Sequence, residues 1–89
     1  MNSLLITLIF TSAWINPAVM AQSRLLEGVK KNPEEAQSIC QSFRELNKKN
    51  ISVFSPKSIQ KISTQKNISL VDAEVLSMYV RGLYCSETF

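Results

Sequence analysis

The chain contains no histidine, only two glycines, three prolines and two cysteines, and aromatic residues make up 8% of it. Each scarcity removes a class of chemistry. Without histidine, the commonest general base and the commonest neutral metal ligand are both missing. Two cysteines with no histidine cannot close a tetrahedral zinc site, and a catalytic thiol lacks its usual base. Gly28 and Gly82 stand alone, so no glycine-rich loop is present to cradle a phosphate. Glu34, Glu35 and Glu45 sit near a helix start or on its outer face, with no visible partner for acid–base work. Tyr79 and Tyr84 read as core and rim packing. These inventories predict a protein that is not an enzyme and carries no metal and no cofactor.

Charge is the next scarce item, and its placement is informative. Residues 1–21 carry no charged side chain, and all of the net +3 falls after Ala21. Leu4 to Ile15 is an unbroken uncharged stretch, followed by Asn16-Pro17 and then Ala18-Val19-Met20-Ala21. This pattern reads as a signal peptide, residues 1–21, cleaved between Ala21 and Gln22. The expected location is therefore periplasmic or secreted. Met1-Asn2-Ser3 has no Lys or Arg, so the alternative is an uncleaved anchor over residues 4–21. Thr7, Thr11, Ser12, Asn16 and Pro17 weaken such a span. Abundant Lys, Asn and Ile point to an AT-rich genome and a bacterial source, which leaves the two N-x-S sequons at Asn50 and Asn67 without a role.

The chain beyond Ala21 reads as helical. Residues 22–32 place Leu25, Leu26 and Val29 at helical spacing but are interrupted by Gly28, predicting a loosely helical N-terminal segment. Residues 33–89 form the expected domain. Asn32 suits an N-cap, Pro33 the first helical position, and Glu35 a capping-box partner. Ala36, Ile39, Cys40, Phe43 and Leu46 then share one stripe, and Asn50 suits a left-handed stop, giving a helix over 33–49. Ile51 to Phe54 is too short and isolated to need a strand partner. Ser55-Pro56 opens a second helix to Lys66, with Ile59 and Ile62 on one face and Lys57 and Lys61 opposite. Asn67 stops it, and Ser69 caps a third helix from Leu70 to Tyr84.

That last helix places Glu74, Ser77 and Arg81 on one narrow polar strip, with apolar residues on most of the rest. The pattern predicts a helix wrapped by the other elements. Lys49-Asn50-Ile51-Ser52 recurs as Lys66-Asn67-Ile68-Ser69, the same helix-stop grammar used twice and not a repeat architecture. The fold class is thus all-α, a small three-helix bundle preceded by a signal peptide.

Cys40 lies on the apolar stripe and Cys85 follows the last helix. In an exported chain the leading expectation is that they bond to each other, with free buried thiols or redox use as alternatives. The bond would require the last helix to loosen around Tyr84, so that the sulfur turns towards Cys40, with Cα atoms within about 7 Å. So small a chain is marginal without a staple.

Arg44, Lys48, Lys49, Lys57, Lys61 and Lys66 face only Glu45 within their own stretch. They could meet an anionic surface or an acidic partner, or simply form a solvated face. No interleaved exposed aromatics suggest nucleic-acid stacking. The turn at Asn67-Ile68-Ser69 invites a helix-turn-helix reading, but the following helix opens with Asp72 and Glu74 and has Arg81 as its only base. Nucleic acid is therefore excluded as a partner. The expected partner is a protein or an anionic surface, a membrane only if the signal stays uncleaved, and a monomer is expected.

Ile39-Cys40, Asn67-Ile68-Ser69 with Asp72-Ala73, and Val80 through Leu83-Tyr84-Cys85 resemble a family of small exported bacterial proteins. That family is best known from mycobacteria and described only as a domain of unknown function. Its members have a signal peptide, a cysteine in an early helix, two further helices and an aliphatic helix leading into Tyr-Cys. The resemblance covers roughly residues 35–86. Lys48-Lys49 departs from the usual glycine-rich first turn, and Ser86 stands where proline often follows. The resemblance implies a disulfide-stapled helical fold and little about activity. The chain is also similar to periplasmic immunity proteins that block a toxin enzyme, likewise small, helical and cysteine-bridged. Together these readings imply a small exported non-catalytic binding module. The alternatives are an inhibitor of a partner enzyme and an accessory subunit anchored by residues 4–21.

Overall fold

The structure, a computed structural model, describes the backbone of residues 17–89 and the side chains of residues 24–89. Among the described residues four helices follow one another: α1 (Pro17–Lys31), α2 (Pro33–Lys48), α3 (Pro56–Lys66) and α4 (Leu70–Tyr84). No strand occurs among the described residues. The expected all-α class holds over the described residues, which form four helices in place of three. The signal-peptide reading of residues 1–16 lies outside the described residues.

The extra helix corrects the reading of residues 22–32 as loosely helical. α1 runs unbroken through Gly28 and through the Ala21–Gln22 bond. One glycine inside a helix costs about 1 kcal/mol. Burying Val29, which is 1% exposed, returns about 1.5–3 kcal/mol and outweighs it. Only Asn32 separates α1 from α2. Its N–H donates to the carbonyls of Gly28 and Val29, and its own carbonyl accepts from Glu35 N–H. Because its backbone serves both helices, Asn32 is turned away from capping geometry (φ −130°, ψ 79°), and its side chain makes no cap bond. The expected capping box is absent, and Glu35 reaches Lys66 on α3 instead.

The other helix boundaries follow the expected chemistry. Ser55 Oγ accepts from Ser58 N–H, and Ser69 Oγ accepts from Asp72 N–H. Asn50 and Asn67 both take the left-handed conformation, at φ 61° and 54°. At the first stop, Ile51 N–H reaches Leu46 O and Asn50 N–H reaches Asn47 O. At the second, Ile68 N–H reaches Ser63 O and Asn67 N–H reaches Thr64 O. The recurring Lys-Asn-Ile-Ser is therefore one Schellman stop made twice, its isoleucine closing the last turn.

α4 is the hub and packs against each of the other three helices, while α1 also packs on α2. The core is built from Val29 of α1, Ala36, Ile39, Cys40 and Phe43 of α2, Ile59 and Ile62 of α3, and Ala73, Leu76 and Val80 of α4. Val53, from the turn between α2 and α3, completes it together with Cys85. The expected wrapping of α4 is only half met. Ser77, placed by the sequence on a polar strip, is fully buried and donates its hydroxyl to Ala73 O, so it needs no water. Leu70, Val71, Met78 and Leu83 of the same helix are exposed.

Candidate functional site

The helix α4 ends at Tyr84, and Cys85 leaves helical geometry (φ −152°, ψ 60°) to bond Cys40. The Cα atoms stand 5.9 Å apart, and both residues are 1% exposed. The bridge closes a sequence separation of 45 residues. On the chain-entropy model, such a loop contributes about 4 kcal/mol.

Beyond the bridge the chain folds back as a strap that the sequence reading missed. Thr88, 2% exposed, donates both its N–H and its hydroxyl to the Cys85 carbonyl. Asn47 clasps Phe89: Nδ2 donates to its main-chain oxygen, and Oδ1 accepts from its N–H, each at 2.9 Å. The same Nδ2 donates to Ile51 O, and Val53 N–H also donates to Phe89 O. A lone asparagine at a helix end gave no signal of this, since its partners lie 42 residues away. Arg44 binds Glu87 at 2.8 Å on the outer surface. The Glu87 carboxyl is held below its ordinary value, first by its own main-chain N–H and then by Arg44.

Arg81 carries the strap's position to the neighbouring surface. Its Nε donates to Thr88 O at 2.7 Å, and its guanidinium lies 5.8 Å from the centre of the Phe54 ring. Stacked in this way, Phe54 stands as one wall of a groove between α3 and α4. Pro56 and Ile59 continue that wall, Leu70 and Val71 form the other, and Gln60 and Glu74 occupy the rims. The groove encloses about 440 Å³ and is open along one side. Phe54, Leu70 and Val71 remain 40%, 57% and 63% exposed, an unusual cluster of large apolar side chains for so small a surface. Only the geometry of α4 reveals this groove. A period-3.6 pattern marks a helix as apolar but does not say which apolar side is covered.

The six bases read as one patch do not act as one. Arg44 pairs with Glu87, Lys48 with Glu45 and Lys66 with Glu35. Two of these acids come from outside the basic stretch, which is why its linear count overstated the charge. Lys49, Lys57 and Lys61 are exposed and make no ion pair among the described residues. Lys57 and Lys61 line a shallow ledge on α3 with Gln60, Thr64 and Gln65, adjoining the groove through Gln60.

A smaller slot separates α2 from α3, with Ile39, Phe43 and Ile62 inside and Ser42, Ser58 and Lys61 among its polar lining. Its volume of about 50 Å³ suits a water or two, not a substrate. Among the described residues, no group of His, Cys, Asp or Glu is placed to hold a metal ion. No helix among them is long and apolar enough to cross a membrane. Of the expected cleavage pair, Ala21 and Gln22, the structure describes only the backbone, inside α1.

No curated protein and no solved structure matches the chain. A family model for a domain of unknown function, DUF8664, matches residues 26–85. The match starts in the second half of α1, takes in α2, α3 and α4, and ends on the second cysteine, so it spans both Cys40 and Cys85. The chain belongs to the DUF8664 family.

Proposed function

We propose that this chain is a small exported module that binds a partner without catalysing a reaction. The observation that carries the reading is the groove of Phe54, Ile59, Leu70 and Val71, apolar and open along one side. Exposed apolar clusters of this kind are where soluble proteins meet partners. The Cys40–Cys85 bridge supports an oxidising compartment, periplasmic or extracellular, as does the uncharged run before Ala21. The Lys-, Asn- and Ile-rich composition supports a bacterial source, and the resemblance at Ile39-Cys40 and at Val80 through Cys85 supports kinship with the small secreted proteins best known from mycobacteria.

Cleavage between Ala21 and Gln22 would leave Leu25, Leu26 and Val29 in place, so the packed part of α1 survives export. A second reading draws on the continuity of α1 through that bond. In it, residues 4–21 are retained and the chain is an accessory subunit at a membrane. Inhibition of a partner enzyme is the form the first reading takes if the groove's partner is itself catalytic.

The intact mass of the exported protein tests these readings. The expected result is a chain lacking residues 1–21 that gains two hydrogens on reduction. A full-length chain found only in the membrane fraction would overturn the soluble reading. An unchanged mass on reduction would overturn the bridge's role in it.

A further inference from the structure

We propose that the α3–α4 groove and the lysine ledge beside it form one docking site. Its occupant is a protein segment that carries apolar side chains flanked by carboxylates on one side. The inference rests on the binding-module reading and deepens it by stating the partner's chemistry.

Charge is unevenly distributed around the groove. Lys57 and Lys61 lie one turn apart on the outer face of α3, exposed and without an ion pair among the described residues. Gln60 belongs to both the ledge and the groove, so the two surfaces are contiguous around α3, with the lysines beyond Gln60. Arg44, Lys48 and Lys66 are already neutralised by neighbouring acids. The positive charge left for a partner on α3 is therefore concentrated at this one edge. Across the groove, Glu74 is exposed on α4 and likewise makes no ion pair among the described residues. The combined site is polar in both senses: an apolar groove with Glu74 on its α4 side and, beyond Gln60, the two lysines of the α3 ledge. A segment that fits it presents acids towards α3 and a base towards α4. Charge complementarity of this kind fixes orientation and rejects the reversed arrangement.

The shape of the groove suits a peptide segment. A volume of about 440 Å³, open along one side, takes two or three side chains of a chain lying across it. It does not enclose a small molecule. The same concavity opposes a lipid surface. An interfacial anchor presents a protruding apolar face rimmed by bases, whereas here the apolar walls are recessed and one rim is the carboxylate of Glu74.

Arg81 links this site to the fold. It holds Phe54 from behind while bonded to Thr88 of the strap, so the groove wall is positioned by the disulfide corner. The site is consequently preformed and binding need not order it.

The test uses the oxidised chain and three probes. The first is a synthetic helical peptide with two leucines flanked by glutamates on one side and a lysine on the other. The second is the same peptide with its charges exchanged, and the third is vesicles of phosphatidylglycerol. The acid-flanked peptide is expected to shift the amide resonances of Phe54, Ile59, Gln60, Leu70 and Val71. It should bind about tenfold more tightly than the exchanged peptide, the size expected from two or three exposed charge contacts. The double variant K57E/K61E, altered only at exposed positions, should reverse that preference. Leu70→Gln should weaken both peptides alike. Equal affinity for the two peptides, shifts that map elsewhere, or no binding would overturn the proposal. Binding to the vesicles in place of the peptides would overturn it as well and assign the surface to a membrane. A chain that binds the peptide but is not exported would break the cellular reading and leave the groove standing. An exported chain that ignores the peptide would do the reverse.

Discussion

The two faces of α4 are equally apolar and oppositely buried. On one, Ala73, Leu76, Ser77 and Val80 are all 0% exposed. On the other, Val71 and Met78 are 63% and 52% exposed, although they are as apolar as anything beneath them. A serine is buried while a valine one turn and a half away is in water. Hydrophobicity along the helix therefore does not decide which face docks. The covered face holds Ala73 and Ser77, small enough for neighbouring helices to approach, and Ser77 satisfies itself on Ala73 O. The open face adjoins α3 only at its edge, and that edge is the groove.

Much of the covered side's security comes from the corner where the chain returns on itself, so breaking that corner should have the largest effect. Cys85→Ser removes the bridge and is expected to lower stability by about 4 kcal/mol on the chain-entropy model, measured by urea unfolding. Buried Thr88 and the Arg81–Phe54 stack depend on the same corner. The variant, if still folded, should thus also lose order at the groove wall.

Asn47→Ala separates the strap from the bridge. It deletes the bonds to Ile51 and Phe89 while leaving the cysteines joined. A loss of about 1–3 kcal/mol is expected, because groups tied by the side chain lose partners. Amide hydrogen exchange should speed up at Val53 and Phe89 and stay unchanged in the centre of α4.

The smallest effect belongs to the exposed pair of Arg44 and Glu87. The Glu87 carboxyl is held low in the folded chain and titrates at its ordinary value once unfolded. The stability it adds is therefore present above the unfolded value and lost as pH falls through the folded one. Because the pair is exposed, the change should be slight. In a carboxyl-detected NMR titration, Glu87 should titrate below a free glutamate, and Arg44→Ala should move it part of the way back. Its own main-chain N–H would retain the remainder.

The sequence made the helices of the domain legible because their boundaries are written in local chemistry. Ser55, Ser69, Pro33, Pro56, Asn50 and Asn67 each act within a turn of where they stand. Cys40–Cys85 was legible for another reason: two cysteines allow only one pairing within the chain. The rest depends on contacts that composition does not encode. Val53 is buried in a segment without periodicity, where its N–H is held by the Phe89 main-chain oxygen of the returning strap. Asn47 and Arg81 look like ordinary surface residues until Cys85 brings the chain back beside them. The groove escaped notice for the same reason, since its walls come from a turn, the start of α3 and the start of α4. The basic patch was overread because Glu35 and Glu87 are distant in sequence but adjacent in space.

α4 thus has one face that carries the fold and one that the fold leaves open. Urea unfolding of two variants tests it most directly: Leu76→Ala against the double variant Val71→Ser/Met78→Ser. The account predicts a loss of about 2–5 kcal/mol for the first and a change within about 0.5 kcal/mol for the second. A loss for the serine variant as large as that for Leu76→Ala would contradict it, because the open face would then be part of the chain's own core.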